Sequence, residues 1–231
     1  MNKTMLITGN RKGIGRYLTE FYLKKGLNLV GCSRSKSDLV HDNYLHVIGD
    51  VTLEKDVKKV INEAKNKFGS IDVLINNAGK ASMNHSILTP VSTVKSLFDT
   101  NYLGTFLFSR ECSKLMMKKK YGRIINFSTV AVPLYLEGEM AYASSKSAIE
   151  TMTKIFSKEI SKYNITVNVI GPTPVMTDLI KVVPKDKVEE ILNKQTLKRF
   201  GTFEDVSNVI NFFMSEKSSF ITGQKIYLGG L

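Results

Sequence analysis

A chain of 231 residues, 42% hydrophobic and 23% charged, is the size of one domain with a globular balance, which excludes a disordered or collagen-like chain. Thirty-three Lys and Arg against 21 Asp and Glu leave a formal charge of +12. No nucleic-acid motif appears and no basic stripe is interleaved with aromatics, so the surplus is read chiefly as surface lysine and not as nucleic-acid binding.

Two distant cysteines, Cys32 and Cys112, make no disulfide framework, and three histidines without ligand spacing make no metal site. Residues 1–9 lack the apolar core of a signal peptide. No apolar run nears the roughly 18 residues that span a bilayer. A cytoplasmic protein without membrane attachment is expected.

In chain order, residues 5–7 predict a first strand. It runs into Thr8-Gly9-Asn10-Arg11-Lys12-Gly13-Ile14-Gly15, and a helix follows over 14–25 with apolar positions at 14, 17, 18, 21 and 22. Gly9, Gly13 and Gly15 allow a tight turn and close approach of a ligand to the backbone. The helix N-terminus then offers unpaired N–H groups to a pyrophosphate. A second strand, 27–32, ends at Ser33 and Arg34, and no carboxylate stands before Asp38. Arg11, Lys12 and Arg34 can converge on a ribose 2′-phosphate, which favours NADP(H) over NAD(H).

Strands at 45–48, 71–75, 123–127, 165–170 and 225–228 alternate with helices at 57–68, 92–118, 141–163 and 203–214. Parallel neighbours need crossover helices, so this order predicts an α/β fold: a single-domain Rossmann-type doubly wound parallel sheet of about seven strands, helices on both faces, over residues 1–231. The segment 171–201 carries Pro172, Pro174 and Pro184 with alternating charge. It is expected to be a lid over the substrate or a surface loop with a short helix. Tyr142 and Lys146 stand four apart on the 141–163 helix and share a face. A free phenol titrates near pH 10; a neighbouring ammonium is expected to bring it closer to neutrality, where acid–base catalysis is efficient.

With these motifs in this order, the whole chain resembles the short-chain dehydrogenase/reductase family, classical type, and most generally its 3-oxoacyl-carrier-protein reductase group. The matching residues are the glycine loop, Asp50-Val51, Asn76-Asn77-Ala78-Gly79, Asn101, Tyr142-x-x-x-Lys146, the Pro172, Val175, Thr177 segment, Gly223-Gln224 and Gly229-Gly230. The resemblance implies hydride transfer between a nicotinamide and a carbonyl or secondary alcohol. Tyr142 would be the general acid or base, Lys146 would bind the nicotinamide ribose, and Asn101 would carry a proton relay through water. It implies a cofactor cradle of Gly9, Arg11, Lys12, Gly13, Ile14, Gly15, Ser33, Arg34, Asp50, Val51, Asn77, Ala78, Gly79, Tyr142, Lys146, Pro172, Val175 and Thr177. It also implies a homotetramer or homodimer.

Two positions depart from the family pattern. Thr129 stands thirteen residues before Tyr142, where a serine is usual, with Ser128 just before it. Thr129 is taken as the substrate-polarising hydroxyl, with a methyl that narrows the pocket. Thr173 follows Pro172 where a glycine is common, and with Pro174 next to it this loop is expected to be stiffer than usual. The substrate expected is a small or carrier-bound carbonyl compound, such as a 3-oxoacyl thioester, a sugar or a polyol. The competing reading is a cofactor-binding regulator with weak catalysis.

Overall fold

The computed structural model describes residues 2–178, 180 and 183–231. Its framework is a seven-stranded, all-parallel sheet in the order β3-β2-β1-β4-β5-β6-β7. The strands are β1 (Thr4–Thr8), β2 (Asn28–Ser33), β3 (Tyr44–Ile48), β4 (Val73–Asn76), β5 (Gly122–Phe127), β6 (Ile165–Gly171) and β7 (Lys225–Tyr227). The helices are α1 (Gly13–Lys24), α2 (Glu54–Phe68), α3 (Val91–Leu97), α4 (Gly104–Lys119), α5 (Ala131–Leu134), α6 (Met140–Ile160), α7 (Lys185–Lys194) and α8 (Phe203–Met214).

The apolar runs are continuous because both sheet faces are covered. Every residue of β1, β4, β5 and β6 is buried. Strand alternation divides them between two cores. Leu6 and Leu74 pack with Val57 and Val60 of α2 and with Phe108 and Cys112 of α4. Met5, Ile7, Val73 and Ile75 pack on the other face with Leu18 and Tyr22 of α1 and with Val206 and Phe213 of α8.

Two helices differ from the sequence reading. The predicted helix 92–118 is interrupted by a π turn, Phe98–Leu103, between α3 and α4. Apolar spacing runs through this turn without a break, so the pattern carries no mark of it. Within 171–201 the chain folds α7, and the segment is pinned at its root: Val175 bridges Gly201, whose N–H donates to Pro174 O at 2.9 Å. Leu179, Lys181 and Val182 of that segment, and Met1, lie outside the described residues. Among the described residues no helix is long and apolar enough to cross a membrane.

The sheet order fixes where a ligand sits. From β1 the chain winds outward to β2 and β3, then returns to β4 on the opposite side of β1. A crevice opens at such a switch point, beyond the carboxyl ends of the strands. Here it is stitched by Asn77, whose Nδ2 donates to Thr8 O at 3.0 Å and Gly9 O at 3.1 Å. Ala78 N donates to Thr8 Oγ1 at 3.0 Å.

Candidate active site

A cavity of about 930 Å³ opens in this crevice. Of the residues singled out from sequence, Gly9, Arg11, Lys12, Gly13, Ile14, Ser33, Arg34, Asp50, Val51, Asn77, Ala78, Gly79, Thr129, Tyr142, Lys146, Pro172, Val175 and Thr177 all line it. Gly15 and Asn101 do not.

The glycine loop is built for close approach. Gly9 has φ +69°, and a Cβ there would lie 2.8 Å from Ala78 Cα. Gly15 faces inward: a Cβ would meet Gly9 O at 2.5 Å, so this glycine permits packing and not ligand contact. Helix α1 starts without a side-chain cap and without an acidic residue in its first turn. Its N–H groups and positive dipole end are therefore open to an anion.

Beside the loop, the end of β2 brings Ser33 and Arg34 to the cavity. Arg34 and Arg11 have no ion-pair partner among the described residues, whereas Lys12 pairs with Asp178 at 3.3 Å. Asp38, the nearest carboxylate in sequence, is paired with Arg16, whose charge lowers its pKa. A hydrogen-bond chain that sequence reading missed braces this corner. Asn10 Nδ2 donates to Tyr44 OH at 2.5 Å, Tyr44 OH meets His46 Nδ1 at 3.1 Å, and His46 Nε2 lies 3.0 Å from Ser35 O. Burial lowers the His46 pKa, which disfavours the charged ring. Tyr44 and His46 sit two apart on β3, and that spacing was the available signal.

The reacting groups come from β5 and α6. Thr129 and Tyr142 line the same cavity; Thr129 Oγ1 accepts from Ala131 N–H at 3.3 Å, and its hydroxyl favours the ionised form of the Tyr142 phenol. Ser128 points elsewhere: its hydroxyl donates to Glu150 at 2.5 Å. That carboxylate also accepts from Tyr227 OH at 2.5 Å and Lys225 Nζ at 2.9 Å. The geometry therefore sets Thr129, and not Ser128, against the tyrosine. Lys146 is buried, with Nζ donating to Phe127 O at 2.9 Å.

Electrostatics differ from expectation. The Lys146 ammonium was expected to lower the Tyr142 pKa. Instead burial pushes the phenol up to about 12, against the Thr129 hydrogen bond, with a further push from the Glu139 charge. Burial also pushes Lys146 down to about 8. Asn101 differs too. It sits in the π turn with its side chain engaged: Oδ1 accepts from Lys80 N at 2.8 Å, and Nδ2 donates to Lys80 O at 3.0 Å and Ser145 Oγ at 2.9 Å. It braces the Gly79–Lys80 turn against α6 rather than facing the cavity.

The sequence reading also missed Glu139, which lines the cavity and is only 6% exposed. Burial raises its carboxyl to about 7. Its position three residues before Tyr142, immediately ahead of α6, was the signal.

A family model described as enoyl-(acyl carrier protein) reductase matches residues 8–230 of the chain. The chain belongs to the short-chain dehydrogenase/reductase family. It is an oxidoreductase of that family. The short-chain dehydrogenase/reductase most relevant by name is 3-oxoacyl-acyl-carrier-protein reductase FabG of Staphylococcus epidermidis. It is 30% identical over 240 residues, spanning 100% of this chain and 98% of the relative. The Escherichia coli K12 protein of the same name is 28% identical over 234 residues, spanning 99% and 96%. Among solved structures, ElxO with NADP bound matches with a TM-score of 0.90 at 29% identity, covering 99% of this chain and 97% of that one. The Brucella melitensis 3-ketoacyl-(acyl-carrier-protein) reductase complexed with NADH shares the fold, with a TM-score of 0.90 at 23% identity and coverage of 98% and 96%.

Proposed function

We propose that the protein is an NADP(H)-dependent carbonyl reductase, with a carrier-bound 3-oxoacyl thioester as its first substrate to test. One observation carries this reading: the Thr129–Tyr142 hydroxyl pair shares a single cavity with buried Lys146 and the uncapped N-terminus of α1.

The residues fit a dinucleotide. Gly9, Gly13 and Ile14, with the α1 N-terminus, hold the pyrophosphate. Ser33, Arg34 and Arg11 take a ribose 2′-phosphate, while Asp50 and Val51 flank the adenine. Asn77, Ala78, Gly79, Lys146, Pro172, Val175 and Thr177 hold the nicotinamide half. When bound, the cofactor supplies a hydride for the carbonyl carbon.

The chain supplies the rest. Thr129 and Tyr142 place two O–H donors around one carbonyl oxygen, which polarises the bond. As negative charge gathers on that oxygen, the Tyr142 O–H breaks and its proton passes to the oxygen. With a pKa near 12 the phenol is fully protonated at pH 7, so it stands ready as the acid for reduction. The remaining phenolate is stabilised by the Thr129 hydroxyl and by the Lys146 charge, present below about pH 8, until solvent reprotonates it. Removing the second donor tests this division. Thr129→Ala is expected to lower kcat/KM for ketones by about 10- to 100-fold, whereas Thr129→Ser keeps most of the rate; steady-state kinetics of the two variants distinguish them.

The NADP(H) preference rests on Arg34 and Arg11, which have no acidic partner at the end of β2 and stand on a corner braced by His46. The NADP carried by ElxO supports it. Arg34→Ala is expected to weaken NADPH binding by about 10- to 50-fold, the worth of a charge-assisted phosphate contact, and to leave NADH within about 3-fold. Fluorescence titration with both cofactors measures this, and an equal loss for both would argue against a 2′-phosphate contact.

The two FabG relatives support a 3-oxoacyl thioester, and a +12 chain suits an acidic carrier. NADPH oxidation with 3-oxoacyl thioesters and a ketone panel, using a 2-enoyl thioester as control, tests the reading. Turnover of the carbonyl compounds is expected. Tight NADPH binding with no turnover would point to a cofactor-binding regulator, and turnover of the enoyl thioester alone would move the reaction to a carbon–carbon double bond.

A further inference from the structure

We propose that Glu139 selects the substrate: its carboxyl takes a hydrogen-bond donor, an O–H or N–H group, that the substrate carries beside its reacting carbonyl. This rests on the carbonyl-reductase reading and not on its 3-oxoacyl-thioester arm, since such a thioester carries no O–H or N–H beside its reacting carbonyl.

Glu139 is a buried carboxyl in the cavity wall, and neither of its oxygens has a hydrogen-bond partner among the described residues; Oε2 is fully sealed, which leaves Oε1 as the oxygen open to the cavity. Buried polar atoms are almost always paired, and an unpaired carboxyl oxygen is among the costlier exceptions. Three ordinary partners are not used. Glu139 is the residue that precedes α6, yet its side chain makes no capping bond to that helix. Thr202 before α8 shows the alternative, with a complete capping box. No cation is paired with Glu139 among the described residues. Val130, Ala131, Leu136 and Ile191, which line the same cavity, form an apolar cluster with Tyr142 against it.

The protein thus brings a carboxyl to the wall that holds Tyr142 and provides no donor for it. The remaining contributor of a donor is the molecule that fills the cavity, water in the free protein and substrate in the complex. A hydrocarbon chain lying there would leave the carboxyl both dry and unpaired. A hydroxyl, amine or amide would satisfy it. Sites built to bond a substrate O–H or N–H reject analogues that lack it far more strongly than apolar pockets reject an extra methylene. Glu139 accordingly sets a preference among ketones of similar size, and Thr129, with its extra methyl, limits their bulk.

The test uses two matched pairs that differ by one donor: hydroxyacetone against butanone, and acetoacetamide against N,N-dimethylacetoacetamide. The kcat/KM with saturating NADPH is measured for wild type, Glu139→Gln and Glu139→Leu. Calorimetry gives the Kd of each ketone for the protein loaded with NADP+, where no turnover occurs. Wild type is expected to favour the donor-bearing member of at least one pair by about ten-fold or more in both readouts. The pair that shows the preference distinguishes O–H from N–H. Glu139→Leu is expected to abolish it, and Glu139→Gln, whose amide oxygen still accepts, to keep part of it. Should Glu139→Leu fail to fold, a narrowed Kd ratio in Glu139→Gln gives the same answer. Equal constants within both pairs in wild type, or a preference that persists unchanged in the variants, would overturn the inference alone. No turnover of the four ketones or of the 3-oxoacyl thioesters by a protein that binds NADPH would overturn the reductase reading, and this inference would go with it.

Discussion

Replacing Tyr142 with phenylalanine lowers kcat for ketone reduction by about 10³-fold or more and leaves NADPH affinity within about 3-fold. The size follows from general acid catalysis, worth roughly 10² to 10⁴ when the proton donor is positioned. In this site the loss falls toward the larger end, because Tyr142 both gives the proton and shares the Thr129 hydroxyl. Thr129 then remains as one donor to the carbonyl oxygen, so the residual rate stays above the uncatalysed one. Phenylalanine keeps the ring packed against the apolar cluster of Leu136 and Ile191, so folding is preserved. Steady-state kinetics together with a cofactor titration separate the two effects. A kcat within ten-fold of wild type would remove Tyr142 from the proton-transfer step, and a parallel loss of NADPH binding would recast it as a cofactor contact.

Replacing Glu139 with glutamine stabilises the cofactor-free protein at pH 8 by up to about 3 kcal/mol, and by little at pH 4. The sign follows from its raised pKa. An ordinary glutamate titrates near 4.5, and burial raises this one to about 7. Between these values the folded state holds a proton that the unfolded chain releases. Stability therefore falls as pH rises from about 4.5 to about 7, and the loss is complete above that. Glutamine is close in shape and does not ionise, so the variant escapes the penalty. In a chain of this size about 3 kcal/mol corresponds to a Tm increase of about 6–12 °C. Thermal melts at pH 5 and pH 8 measure it. Equal melting shifts at both pH values would mean that the carboxyl is not buried as an acid. A stability cost of this size at a cavity wall is the pattern of a residue retained for binding.

The sheet was legible in the sequence because parallel strands covered on both faces must be apolar throughout, and Met5-Leu6-Ile7 or Ile124-Ile125 have no other use. The catalytic helix was legible because Tyr142 and Lys146 are a local pair, joined by helical spacing. Thr129 was reached by counting from the tyrosine, and the choice over Ser128 has its physical reason in Glu150, which claims the serine from another part of the chain. What escaped depended on distant chain segments coming together. Glu139 reads as a surface charge until the fold buries it in the cavity wall. The brace from Asn10 through Tyr44 to His46 joins a loop to a strand 34 residues away. The π turn that carries Asn101 leaves the apolar pattern intact, so only backbone geometry reveals that this side chain serves the Gly79–Lys80 turn. The direction of the Tyr142 shift was misjudged for a related reason. The ammonium four residues on was visible in the sequence, and the depth of burial, which decides the matter, was not.

The central claim, that a hydride passes to a carbonyl carbon while Tyr142 protonates its oxygen, is tested most directly by isotope tracing. NADPH deuterated at both C4 positions is incubated with the protein and a ketone that it turns over, and the product alcohol is examined by mass spectrometry and NMR. The account predicts one deuterium on the carbinol carbon in wild type and its near-complete loss in Tyr142→Phe. Alcohol formed without deuterium at that carbon, or labelled equally well by the phenylalanine variant, would contradict it.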